Sequence, residues 1–137
     1  MDYEELGRRA VACKRWRWMK RMSARPGISA GELGRIIVDE VRDGVPIRWH
    51  FEGDLSFSLW RKWASDLSAA IPDLTDPATL VCLLALVREA WSCPTVCVVH
   101  EGSDHPDPWA VRARRGEALG IGVTEAEALV LALEAAP

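Results

Sequence analysis

No apolar run in this chain is longer than the eight residues of LVCLLALV, 80 to 87, whereas a membrane-spanning helix needs about 20. No transmembrane segment is therefore expected. Acidic residues follow Met1 where a secretory leader would place an apolar stretch, so no export signal is legible, and the protein is expected in the cytoplasm of its host cell. Cysteine is sparse. In a reducing compartment Cys13, Cys82, Cys93 and Cys97 are expected as thiols, with Cys82 a small core residue. Tyrosine and phenylalanine are nearly missing too, one and two residues against seven tryptophans at 16, 18, 49, 60, 63, 91 and 109. Large amphipathic rings are thus set where small proteins make cores and interfaces. There are no internal repeats and no low-complexity tracts.

Catalytic signatures are also missing. Nothing supplies a nucleophile beside a base, an oxyanion-binding turn or a phosphate-binding glycine loop, and Gly120-Ile121-Gly122 is too short to mean more than a turn. The chain is expected not to be an enzyme and to need no cofactor.

What is present is enough for one ordinary domain. The 137 residues should bury about 65–70% of the surface exposed by the unfolded chain. At 49% hydrophobic and 27% charged, the composition is that of a globular protein. A net charge of −3 hides a split. Residues 1–25 hold eight Lys/Arg against three Asp/Glu, and residues 26–137 hold nine against seventeen. Such a two-ended charge distribution steers a partner over about 8 Å at physiological salt.

Along the chain, Asp2 with Glu5 makes a capping box, and Tyr3, Leu6, Ala10 and Cys13 form one apolar helical stripe. Arg17 would continue that stripe, so the helix should end before CKRWRWMKRM, 13 to 22, where cations alternate with Trp16 and Trp18. This basic arm to residue 25 is expected to run extended or irregular, with Pro26-Gly27 closing it.

Residues 32–54 read as a β-hairpin. Ile36–Val38 is followed by a turn at Asp43-Gly44, and then Ile47, Trp49 and Phe51 alternate with Arg48 and His50. Strand, turn and strand in this form also look like the opening of an SH3-like small barrel. Within 56–137, Trp60, Trp63, Leu67 and Ile71 predict a helix that Pro72 ends, and Thr75-Asp76-Pro77 predicts the start of another. The second helix is apolar on every face, which places it in the middle of the domain. Thr95–Val99, Trp109–Arg114 and Glu117–Val123 then read as strands, and Thr124 with Glu127 caps a last helix with Ala126, Leu129, Val130 and Leu133 as its buried stripe. The expected class is α+β: a single domain with an antiparallel sheet packed between helices, an additional N-terminal helix and a central β-hairpin.

Three sites could carry chemistry. The first is Lys14, Arg15, Trp16, Arg17, Trp18, Lys20 and Arg21. These residues could dock on a protein, or hold phosphates while bases stack on the indoles at about 1–3 kcal/mol each, or turn the indoles inward and leave the cations solvated. The acidic remainder counts against duplex binding. The second is Cys93, Cys97, His100 and His105, four potential metal ligands whose spacing matches no paired zinc knuckle. Alternation on a strand also sends Cys97 and His100 to opposite faces, so no metal is expected. The third is His100, Glu101, Asp104, His105 and Asp107, acid–base groups gathered in a loop that reads as a hydrated connection.

DLTDPATLVCLLALVREAW, a strand and polar loop, a tryptophan-led strand, and TEAEALVLALEAAP together resemble small proteins of phages and prophages grouped as phage ABA sandwich domains. The likeness covers residues 73–137, and CKRWRWM is similar to the start of such proteins. The resemblance implies a sheet held between helices and a phage origin, and it brings no catalytic residues. The expected function is that of a phage-encoded, non-catalytic binding protein acting by protein–protein contact on a host or phage protein, with inhibition of a bacterial defence system, as anti-CRISPR proteins do, as one role. The alternative is a nucleic-acid-binding protein using residues 13–25, and a more remote one is a metal-dependent enzyme.

Overall fold

The computed structural model describes residues 1–26, 35–52 and 70–137. The element order is α1 (Tyr3–Ala12), β1 (Ser23–Pro26), β2 (Arg35–Arg42), β3 (Val45–Glu52), β4 (Ala70–Pro72), α2 (Pro77–Ala90), β5 (Cys97–His100), β6 (Trp109–Arg112), β7 (Ala118–Gly122) and α3 (Glu125–Glu134). The class is α+β in one compact domain. Its two antiparallel sheets run β3-β2-β1-β4 and β5-β6-β7.

Each helix starts where a side chain satisfies its free amides. Asp2 accepts from Glu4 N–H and Glu5 N–H at 3.0 and 3.1 Å. Glu5 does not close the expected box, because its carboxylate pairs with Arg8 at 3.6 Å. Asp76 accepts from Thr79 N–H at 2.9 Å, with Pro77 at the first helical position. Thr124 accepts from Glu127 N–H at 3.1 Å, and the Glu127 carboxylate returns to Val123 N–H at 2.7 Å.

α3 is the hub of the main core. Leu129, Val130 and Leu133 are buried as expected, and so are Ala128 and Ala132 on a second face. That face packs on β7 at close range. A Cβ on Gly120 would sit 2.2 Å from Ala128 O and 2.6 Å from Ala132 N, so only glycine admits the contact. α1 and α2 pack against α3, and α1 also meets β4. There Gly7 makes room for Ile71, whose Cγ2 would lie 2.3 Å from an added Cβ.

Several expectations need correction. Ile71 and Pro72, assigned above to a helical stripe and its end, lie in β4, paired with Arg25 and Ala24 of β1. The rest of that helix, with Trp60, Trp63 and Leu67, lies outside the described residues, as do the hairpin flanks 32–34 and 53–54. α2 is not buried all round: Leu83, Leu86, Val87 and Ala90 face the core while Val81 is 69% exposed. β1 was not legible, because Ser23-Ala24-Arg25-Pro26 has no alternating apolar face. The hairpin does form, pairing Ile36 with Phe51 and Val38 with Trp49, with bulges on either side of Glu40. The expected covering of a sheet by helices is met on one face of β5-β6-β7, where α3 lies. The other face carries Val99 and Ile121, 37% and 42% exposed.

Candidate functional site

The arm after α1 leaves the helix at Cys13, whose ψ of 137° is extended. Its backbone then runs beside β2: Trp18 N–H donates to Gly44 O at 3.2 Å, Arg21 N–H to Val38 O at 2.7 Å and Val38 N–H to Met22 O at 2.9 Å. A turn over Met19–Met22 puts Arg21 at φ 79°, a conformation a non-glycine residue adopts only when its surroundings require it. The expected irregular arm is therefore stitched to the hairpin by its own backbone.

That frame divides the seven candidate residues into three groups. Trp16 and Trp18 meet edge to face, ring centres 5.5 Å apart, and both pack on the main core. Trp18 also packs on the second, smaller cluster of Ala24, Ile36 and Ala70, so one indole joins the two cores. Trp16 Nε1 is buried with no hydrogen-bond partner among the described residues, which costs about 1–3 kcal/mol. Arg15 and Arg17 are engaged internally. Arg17 forks onto both Glu89 oxygens at the end of α2, and Arg15 donates to Pro137 O at 2.7 and 3.2 Å. The Arg17 guanidinium holds the Glu89 carboxyl below its ordinary value by hydrogen bonding, against a smaller effect of burial. Lys14, Lys20 and Arg21 are exposed and make no ion pair among the described residues.

Beside Lys14 and Arg15, a groove of about 750 Å³ separates the ends of α1 and α3. Two of its lining cations are engaged internally, Arg9 bridging to Glu134 at 2.7 Å and Arg15 donating to Pro137 O, while Lys14 also lines it.

The histidines and acids of 100–107 do not converge. His100 stands edge-on to Trp109 at 5.0 Å, the His105 ring bonds the backbone of Asp107 at 2.9 Å, and Glu101 pairs with Arg112. Among the described residues no group of three or more His, Cys, Asp or Glu could hold a metal ion. Cys93 and Cys97 also differ in setting. The Cys93 thiol is held below its ordinary pKa by hydrogen bonding to Thr95 and the Arg114 backbone, while Cys97 sits exposed on β5.

Two features escaped the sequence. Val45 and Ile47 at the start of β3 are 60% and 41% exposed, although alternation places them on the face of Trp49. Arg114 and Arg115 add a second exposed basic pair between β6 and β7. The run RARR is visible in the sequence, but only folding sets Arg112 on Glu101 and leaves the other two in water. No described helix is long and apolar enough to cross a membrane. Compared with family models, curated proteins and solved structures, the chain matches none.

Proposed function

We propose that this chain is a small non-catalytic binding protein that acts by protein–protein contact, offering Lys14, Lys20 and Arg21 to an acidic partner. The observation that carries this reading is the division of labour in the basic arm. Both indoles lie against the core, and Arg15 and Arg17 are spent on internal acceptors. Among the described residues, Lys20 and Arg21 therefore remain without an ion pair on backbone anchored to β2, and Lys14 in the turn that follows α1, and the stacking that single-stranded nucleic acid would draw on is weakened. Fixed cations favour encounter and register with a complementary surface. In a phage setting, which the resemblance suggests, the partner is a host or phage protein, and occlusion of a bacterial defence component is one form of such action.

The test pairs two measurements on the triple reversal K14E/K20E/R21E, with circular dichroism checking its fold. A photo-cross-linker placed at Ala12, exposed at the end of α1 beside these cations, is expected to join one specific protein in host cells and to lose it in the reversed background. Titration with single-stranded oligonucleotides at low salt is expected to show no binding. Salt-dependent oligonucleotide binding that the reversal abolishes would transfer the assignment to nucleic acid.

A further inference from the structure

Sheet edges are open hydrogen-bonding templates, and proteins blunt them with charge, proline, bulges or short length. Among the described strands, three of the four edges are blunted. β3 carries Pro46, Arg48 and Glu52, β4 is three residues long and ends in Pro72, and β7 contains two glycines and a register shift. β5 is short, at four residues, but has no charged side chain, proline or bulge. Cys97-Val98-Val99-His100 pairs with β6 in unbroken register, contains no Pro, Gly, Lys, Arg, Asp or Glu, and is exposed at Cys97, Val99 and His100.

The ladder tells which backbone groups are open. Glu101 N–H donates to Pro108 O at 2.7 Å, so that pair is of the bonded kind. Alternation along an antiparallel ladder then makes Val99/Ala110 and Cys97/Arg112 bonded pairs, and Val98/Val111 and His100/Trp109 non-bonded ones. The N–H and C=O of Val98 and His100 therefore point away from β6. Before them the edge is closed. Val96 N–H donates to Cys93 O at 3.3 Å, and Val96 O accepts from Arg88 Nε at 2.8 Å.

We propose that β5 is a self-pairing edge through which two copies of this chain join their three-stranded sheets into one. The open stretch is self-complementary. A two-fold axis at Val99 sets Val98 of each copy opposite His100 of the other, and each such pair exchanges two hydrogen bonds. The two Val99 side chains meet across the axis at about 4.5–5.5 Å between Cβ atoms. They lie on the face left uncovered by α3, where Val99 and Ile121 are 37% and 42% exposed. An edge this short buries less than the roughly 1,200 Å² of a stable complex, so the dimer is weak and concentration-dependent.

Sedimentation velocity across a dilution series tests this, with hydrogen exchange on the same samples. The wild-type chain is expected to double in mass as concentration rises, with the Val98 and His100 amides gaining protection in step. V99K places like charges at the axis and is expected to stay monomeric with an unchanged melting temperature, and an equal mixture of V99K and V99E is expected to restore the dimer. A chain monomeric at every concentration overturns the proposal, whether or not the edge accepts a strand from another protein. So does a dimer in which the Val98 and His100 amides exchange freely. Should the Val99 variants fail to fold, wild-type exchange at high and low concentration decides alone.

Discussion

Among the described residues, the two sheets rest on cores of different size. The three-stranded sheet lies on α3, whose Leu129, Val130, Leu133, Ala128 and Ala132 are all buried in a cluster shared with Leu6, Leu83, Leu86 and Val87. The β3-β2-β1-β4 sheet rests on a cluster whose buried members are Ala24, Ile36 and Ala70, with Trp18 and Trp49 against it. Among the described residues, this sheet buries Ala24, Ile36, Val38, Ala70 and Ile71, and Trp18 and the arm's hydrogen bonds to β2 tie it to the main core. Stability in such a molecule is graded, and the weaker unit opens first. The candidate cations sit at the join, on the segment that belongs to both.

The largest effect is expected where backbone meets backbone. Gly120→Val should cost about 3 kcal/mol or more, since its side chain would occupy the space of Ala128 O and Ala132 N. Urea denaturation should show loss of the whole domain, and loss of only one sheet would break the claim that α3 is the hub. Trp18→Ala should cost about 3 kcal/mol and, unlike Gly120→Val, should uncouple the sheets: hydrogen exchange should rise in β2 and β3 while α3 stays protected. Asp76→Ala removes an N-cap and an acceptor for Arg35 at 3.4 Å, for about 1–2 kcal/mol, read as a lowered melting temperature.

The smallest effect is electrostatic and confined to the four-stranded sheet. His50 Nδ1 lies 2.9 Å from Asp39 across β2 and β3, and hydrogen bonding to that carboxylate raises its pKa above the ordinary 6.5, with burial opposing weakly. A raised value in the folded state means the contribution is complete below about pH 6.5 and is lost as pH rises through the folded pKa. On an exposed pair it amounts to about 0.5 kcal/mol. The protection factors of the Asp39 and His50 amides, taken relative to the base-catalysed intrinsic rate, should fall above that pH in wild type and not in His50→Gln, with those of β5–β7 unchanged in both.

Much of the frame was legible because local rules govern it. Asp76 before Pro77 and Thr124 before Glu127 start helices in any surroundings, since free amides need acceptors, and the alternation around Asp43-Gly44 marks a hairpin through turn geometry. The candidate residues could be located by composition, yet their roles could not. Arg17 on Glu89 is a contact across 72 positions, and nothing within CKRWRWMKRM distinguishes Arg17 from Arg21. The strand at Ala70–Pro72 was misread because Ile71 continues a helical spacing, and only its pairing with Arg25 of β1 overrides that spacing.

Taken by itself, the amino-acid sequence determined the α+β class, the helix starts, the hairpin and the concentration of cations and indoles near the N-terminus. These follow from interactions among residues a few positions apart, whose geometry the backbone imposes. Only the tertiary structure decided which cations stay in water, that Trp18 joins two cores, and that β5 is an edge strand among the described residues. Each of those depends on which distant segment arrives as neighbour, and burial and pairing are properties of the neighbour as much as of the residue.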